Sequence, residues 1–360
     1  MNLQLLNQVV LLAIPVFLIL MLGEFIYGFL INKNTYRLND TISNLSQGIL
    51  SQTILMCLVF FQIGAYELVY QYFGFKTFSP FWETWYGWIC IFLVYDFLDY
   101  WLHRLSHQSG LLWSSHAVHH QSQLFNFSTA LRQESFFPII ACIFFAIMAL
   151  VGIPPYQFVL ISSFVLIYQF WIHTEHISKL GCIDLLFSTP SNHRVHHAIN
   201  NEYIDKNFGA VLIIWDRIFG TYQKEEGECI YGTKIPLNSW NPLLALCSVF
   251  IDLYAKGSKS SGLTKKLFIM VRSPTWDPEM QKELPVKKIK PSDGVYNPLL
   301  DGYRKYAVLA IFSLTVMFSI TFFNSGDQLP YVEKIINLTI ICIGLYCVGY
   351  LMESKKANNL

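Results

Sequence analysis

Apolar residues gather in seven blocks along this chain, near 9–31, 47–70, 84–102, 135–151, 156–172, 305–323 and 333–352. A helix needs about 20 apolar residues to cross a bilayer, and several of the blocks are that long. The fourth and fifth are shorter and are joined by Gly152-Ile153-Pro154-Pro155, so they read as one helical hairpin rather than two independent anchors. From Cys229 to Tyr303 the pattern turns polar and proline-spaced, with Asp277-Pro278 and a basic run at Lys287-Lys288-Ile289-Lys290. Inside that stretch, 265–272 has an apolar body and basic flanks and is too short to span; it suits an interfacial segment or a buried strand. No repeats or low-complexity runs interrupt the chain.

The expected fold is all-α: a multi-span integral membrane protein with a cytoplasmic, histidine-rich di-metal cap. Residues 1–102 form N-terminal membrane helices. The catalytic region is 103–230, with a membrane hairpin at 135–172. A cytoplasmic or interfacial segment fills 231–304, and C-terminal membrane helices fill 305–360. Composition agrees, at 53% hydrophobic and only 14% charged, far from a soluble globular domain. The net charge of +1 conceals an asymmetry. With the histidines in the cytoplasm, Lys33, Arg37, Arg104, Arg132, the basic residues of 179–305, Lys355 and Lys356 all lie inside. Lys76 and Lys334 fall on outer loops. That satisfies the positive-inside rule with seven crossings and an outside N-terminus. The compartment would be the endoplasmic reticulum in a eukaryote or the inner membrane in a bacterium. The first block has no basic flank or small-residue cleavage site, so it reads as an anchor. Eight scattered cysteines without a Cys-x2-Cys pair make no zinc finger, iron–sulfur site or disulfide framework; they read as small core residues.

All ten histidines fall between His103 and His197, in four groups: His103-Arg-Leu-Ser-His107, His116-Ala-Val-His119-His120, His173-Thr-Glu-His176 and His193-Arg-Val-His196-His197. Residues three and four apart share a helical face, so each group aims two or three imidazoles at one point. Ten imidazoles exceed what one ion of about four to six coordination can use, which argues for two metals. Asp96 and Asp99 lie on the same stripe as His103 and His107, near the end of a membrane helix. There, either carboxylate could accept the second ring N–H of a ligand histidine. Gln169 shares a face with His173 and His176, and its amide could hold a water or a ligand or bond another helix.

His-x3-His followed by two His-x2-His-His boxes on a multi-span chain resembles the fatty acid hydroxylase and sterol desaturase superfamily of membrane di-iron oxygenases. Within it, the blocks 121–133, 169–175, 189–197, 203–209 and 215–221 are most similar to the alkylglycerol monooxygenase group. The resemblance covers 46–235 strongly and the tail weakly. It implies metal ligation by His103, His107, His116, His119, His120, His173, His193, His196 and His197, and a catalytic role for Glu175. His176 departs from the pattern and is either a tenth ligand or a plain polar residue. Asn207 and Asp216 also match, although a turn or a helix cap explains them nearly as well.

The implied cofactors are two iron ions and, by resemblance only, tetrahydrobiopterin. The implied partners are a lipid substrate, the membrane, O2 and an external electron donor. The implied reaction hydroxylates the carbon next to the ether oxygen of an alkylglycerol, releasing a fatty aldehyde. A sterol, fatty-acyl or aminolipid hydroxylase or desaturase is the nearest alternative. A membrane metal transporter would place histidines along helix middles, whereas these sit at helix ends. A zinc hydrolase lacks its His-Glu-x2-His helix. Basic residues dispersed along the loops give no nucleic-acid surface.

Overall fold

The computed structural model describes residues 2–58, 60–277, 280, 282–283 and 295–353. Pro278, the basic run 287–290, Lys355 and Lys356 lie outside them. In chain order the helices are α1 Asn2–Leu30, α2 Leu38–Cys57, α3 Ala65–Phe73, α4 Ser79–Trp82, α5 Trp85–Gln108, α6 Gly110–His120, α7 Phe127–Ala130, α8 Phe137–Leu150, α9 Pro155–Trp171, α10 Pro190–His197, α11 Ile214–Ile218, α12 Pro242–Ser258, α13 Leu263–Val271, α14 Gly302–Ser325 and α15 Tyr331–Met352. A two-residue antiparallel pair, Trp276–Asp277 with Lys282–Glu283, is the sole sheet among the described residues.

Among the described residues, three segments are each long and apolar enough to cross a membrane alone: Leu12–Leu30, Gly302–Ser325 and Tyr331–Met352. The other four apolar blocks do not add four such spans. Block 47–70 is divided, because α2 stops at Cys57 and a π-helical turn, Phe60–Gly64, leads into α3. Helices α8 and α9 have 14 and 17 residues. At 1.5 Å per residue these come to about 21 and 25 Å, short of a hydrocarbon core of about 30 Å. They are joined by the Gly152–Pro155 turn, but α8 packs chiefly on α3 and α5, and α9 on α1 and α5, rather than on each other as a hairpin. Pro155 opens α9, where a missing N–H costs nothing. Gly152 takes φ +83°, and a Cβ there would meet the Phe75 carbonyl oxygen at 2.4 Å.

Helix α5 begins on a Thr84 cap that accepts the Gly87 N–H and continues through the first histidine group to Gln108. Its apolar face joins α3, α8 and α9 in one core around Tyr66, Ile91, Tyr95, Met148, Phe158 and Val165. A second core joins α2 to α14 and α15 through Leu50, Ile54, Phe322, Ile341 and Leu345. The opposite face of α2 is polar yet buried. Asn44 bonds Asp40 and Ser128, while Ser51 donates to the Glu134 carbonyl. The buried Arg132 reaches Ser43, Asn44, the Gln121 side chain and the Val118 carbonyl. Because a buried polar group is costly unless bonded, this network fixes the 121–135 loop under the second histidine group.

Segment 265–272 is helical (α13) rather than a strand. Leu263, Leu267, Phe268 and Val271 are exposed on it, as an interfacial segment requires. The eight cysteines are free; seven are half-buried and Cys182 is exposed, so they are not the core residues expected.

Candidate metal centre and its two cavities

Four chain segments bring nine histidines together. The last two turns of α5 give His103 and His107. The last two turns of α6 give His116, His119 and His120. The stretch after α9 gives His173, and the short α10 gives His193, His196 and His197. They sort into two groups, each able to hold one ion. One group contains His103, His107, His116, His120 and His196; the other contains His119, His173, His193 and His197. The groups adjoin, with the rings of His120 and His197 stacked at 4.4 Å and those of His119 and His120 edge-on at 5.4 Å. These are the nine residues singled out in the sequence. His176 is outside both groups: its ring packs edge-on against Tyr27 and comes close to Gly28 on α1.

Backbone carbonyls set the orientation of the rings. The Nδ1 of His103 bonds the Phe208 oxygen at 2.9 Å, and that of His119 bonds the Arg132 oxygen at 2.9 Å. His173 Nδ1 bonds the Gln169 oxygen at 2.7 Å, and His196 Nδ1 bonds the Lys206 oxygen at 3.0 Å. A carbonyl can only accept, so each Nδ1 carries the proton and each Nε2 presents a bare lone pair. The Nε2 atoms of His119 and His173 nevertheless face one another at 3.4 Å. Those of His173 and His193 are 3.0 Å apart, and those of His193 and His197 are 3.1 Å apart. The lone pairs of His119 and His173, aimed at each other, repel unless a cation sits between them. Two nitrogens each about 2.1 Å from one ion, at 90–109°, would be separated by about 3.0–3.4 Å. In the other group, the buried Nε2 atoms of His103, His107 and His196 have no hydrogen-bond partner. Both groups therefore fit a bound cation, and burial holds them neutral as ligation requires: His116 is held at about 3, and His119 is also lowered.

The fatty acid hydroxylase family profile matches residues 88–221, the segment that carries all nine rings. Alkylglycerol monooxygenase of Homo sapiens is 33% identical over 349 residues, which is 95% of this chain and 77% of that protein. The Xenopus tropicalis enzyme of the same name is 30% identical over 94% of this chain and 76% of its own length. The chain belongs to the fatty acid hydroxylase family. Ornithine lipid hydroxylase OlsE of Rhizobium tropici is 31% identical over 136 residues, 36% of this chain and 40% of that protein. No solved structure matches.

Two cavities reach the histidines. The larger, about 600 Å³, is walled by α1, α2, α9 and α14 and reaches His103, His116, His119, His173 and His193. Its lining includes Ile14, Phe17, Ile49, Leu166, Phe170 and Met317. The smaller, about 330 Å³, reaches His107, His120, His196 and His197 and carries Trp113, Asp205, Lys234, Asp252 and Thr275 on its walls.

The residues expected to support the centre are redistributed. Asp96 touches no histidine; its carboxylate accepts from the Val211 and Leu212 N–H groups and from the Trp215 ring, tying α5 to the 208–216 loop. Asp99 does not orient His103, because the Phe208 carbonyl already takes that Nδ1; it lines the larger cavity instead. Gln169 orients His173 through its backbone oxygen, and its side chain also faces that cavity. Glu175 lies beyond the end of α9 at Trp171, outside both groups. It stands 3.7 Å from the Lys33 ammonium, and burial raises its carboxyl. Asn207 and Asp216 are turn residues. Asn207 sits at φ 55° and bonds Asn192 and Gln223, while Asp216 accepts the Phe208 and Gly209 N–H groups and thereby holds the carbonyl that His103 uses.

Two carboxylates were missed from sequence. Glu134 Oε1 lies 2.5 Å from His116 Nδ1. Glu24, buried on α1, accepts from Tyr36, from the Phe127 N–H and from Thr174, the neighbour of His173. Glu24 is an ionisable residue inside an apolar block, which was a legible signal. Glu134 had none, because its contact with His116 is tertiary.

Proposed function

We propose that this protein is an O2-dependent, non-haem di-iron lipid monooxygenase that cleaves alkylglycerols by hydroxylating the carbon next to the ether oxygen. The observation that carries the reading is the likeness to alkylglycerol monooxygenases along nearly the whole chain, at 33% identity, together with a histidine centre opening into an apolar cavity. We assign His103, His107, His116, His120 and His196 to one ion and His119, His173, His193 and His197 to the other. Two iron ions held there would supply O2 activation and the oxidation of a C–H bond.

The chain's own residues do the rest. The carbonyls of residues 132, 169, 206 and 208 keep the ring tautomers fixed, so no reorganisation is needed when an ion binds. The larger cavity takes the alkyl chain, excludes water and holds the methylene beside the histidines. Hydroxylation there gives a hemiacetal, which separates into a fatty aldehyde and the freed glycerol. The smaller cavity, the more polar of the two, suits the external reductant, with tetrahydrobiopterin as the donor implied by the likeness. We place the centre on the cytoplasmic side of the membrane, where the positive-inside rule puts it.

The 136-residue likeness to an ornithine lipid hydroxylase favours a second reading, hydroxylation of an acyl chain or aminolipid without ether cleavage. One experiment separates the two. Purified protein is incubated with an alkylglycerol, an acyl lipid and a sterol, each with and without tetrahydrobiopterin. Release of fatty aldehyde from the alkylglycerol alone supports the first reading. A hydroxylated acyl chain or sterol, with no aldehyde, replaces it with the second.

A further inference from the structure

Three carboxylates stand near the histidine end of α5, and they differ in what they bond. Asp96 accepts three N–H groups, and Glu134 takes the ring of His116. Among the described residues, no group donates a hydrogen bond to Asp99. A carboxylate removed from bulk water is costly to leave without a donor. Asp99 is half-buried, lines the larger cavity and precedes His103 by one helical turn.

The lining of that cavity is sorted by polarity. Asp99 and Gln169 each lie one turn before a histidine, and Glu134 is bonded to one, with Gln133 beside it. The walls from α1, α2 and α14 are apolar except for Gln52, Ser313 and Ser319, and Ser319 bonds back to its own helix. A molecule filling this space therefore has a hydrogen-bond donor at the histidine end and a hydrocarbon chain along the membrane helices.

We propose that Asp99 accepts a hydroxyl group of the lipid's headgroup, so that a single-chain lipid with a free hydroxyl close to the oxidised bond enters head-inward. This rests on the reading of the protein as a lipid oxygenase and adds to it the substrate feature that is read and the residue that reads it. Residues one turn apart on a helix face are about 5–6 Å from each other. A hydroxyl held at Asp99 thus leaves the carbon on the far side of a neighbouring ether oxygen beside His103. A neutral hydroxyl suits this apolar space better than an ammonium group, whose burial costs more.

The test measures binding to the metal-loaded protein in nanodiscs without reductant, so that nothing turns over. The probes are a 1-alkylglycerol, the same lipid with both hydroxyls O-methylated, and an alkylamine of equal chain length. The wild type should bind the free diol roughly tenfold tighter than the methylated lipid, as expected when a shielded polar group loses its hydrogen-bond partner. Asp99→Leu should lose that preference while keeping its metal content, and Asp99→Asn, still an acceptor, should keep part of it. An unchanged preference in Asp99→Leu overturns the proposal. So does loss of metal in Asp99→Asn, which would make Asp99 a support of the centre, or tighter binding of the alkylamine than of the diol. Aldehyde assays on the same samples test the reaction separately: a diol preference without aldehyde release would retain the head-inward site and reject ether cleavage.

Discussion

The two histidine groups differ in what holds them. In the four-histidine group, His119 and His173 rest on neutral backbone carbonyls, and three of its rings face the apolar cavity. In the five-histidine group two rings stand against carboxylates, His116 on Glu134 and His107 at 3.5 Å from Asp205, and three of its rings face the smaller, more polar cavity. A carboxylate behind a ligand ring makes that ring a stronger donor, whereas a carbonyl mainly fixes its direction. The two ions of such a centre would not be equivalent, and the five-histidine group should bind the tighter one.

The largest effect should come from deleting one ring in either group. His119→Ala and His196→Ala should each abolish turnover, but metal analysis should show loss centred on one ion in each case while the protein still inserts. Equal loss of both ions in both variants would make the groups a single site. Next comes Glu134→Gln, which should weaken metal binding in the five-histidine group by roughly 10- to 100-fold. If metal titration instead shows the four-histidine group weakened, the pairing of Glu134 with His116 does not set the difference. Glu175→Ala should retain near-normal metal occupancy yet lose most aldehyde release, because Glu175 stands at the rim beside Lys33 and not among the rings. Metal loss in that variant would turn it into a ligand. The smallest effect belongs to His176→Ala, which contacts α1 rather than either group. An inactivation as complete as that of His173→Ala would place a tenth ring in the centre.

The nine rings were legible because imidazoles at helical spacing aim at one point whatever the rest of the chain does. Their orienting partners were not. Every residue carries a carbonyl, so nothing marks Phe208, Arg132, Gln169 and Lys206 in advance; only the loop path sets them against a ring. The same limit explains Asp99. Its spacing correctly placed it near His103, but a competing carbonyl from a segment 105 residues away took the contact. The long apolar helices α1, α14 and α15 were plain in the sequence. Helix α2 was not, because its first half, with Asp40, Ser43, Asn44 and Gln47 all buried, reads as loop by polarity. Asp40, Ser43 and Asn44 are bonded to one another or to the 121–135 loop, and Gln47 donates to the Pro242 carbonyl, which is why they can be inside.

Helix α1 turns an apolar face outward along its described length. Glu24 and Tyr36 pin it beside Thr174, while Leu12, Val16, Leu18, Ile19 and Leu20 are exposed farther up. It is also an outer wall of the larger cavity, so on that side the bilayer itself completes the enclosure. A lipid then arrives sideways, out of the leaflet, without passing through water. The quantity that governs encounter is its share of the surrounding membrane, and diluting it with inert lipid at constant total amount should slow the reaction as diluting a solute slows one in solution.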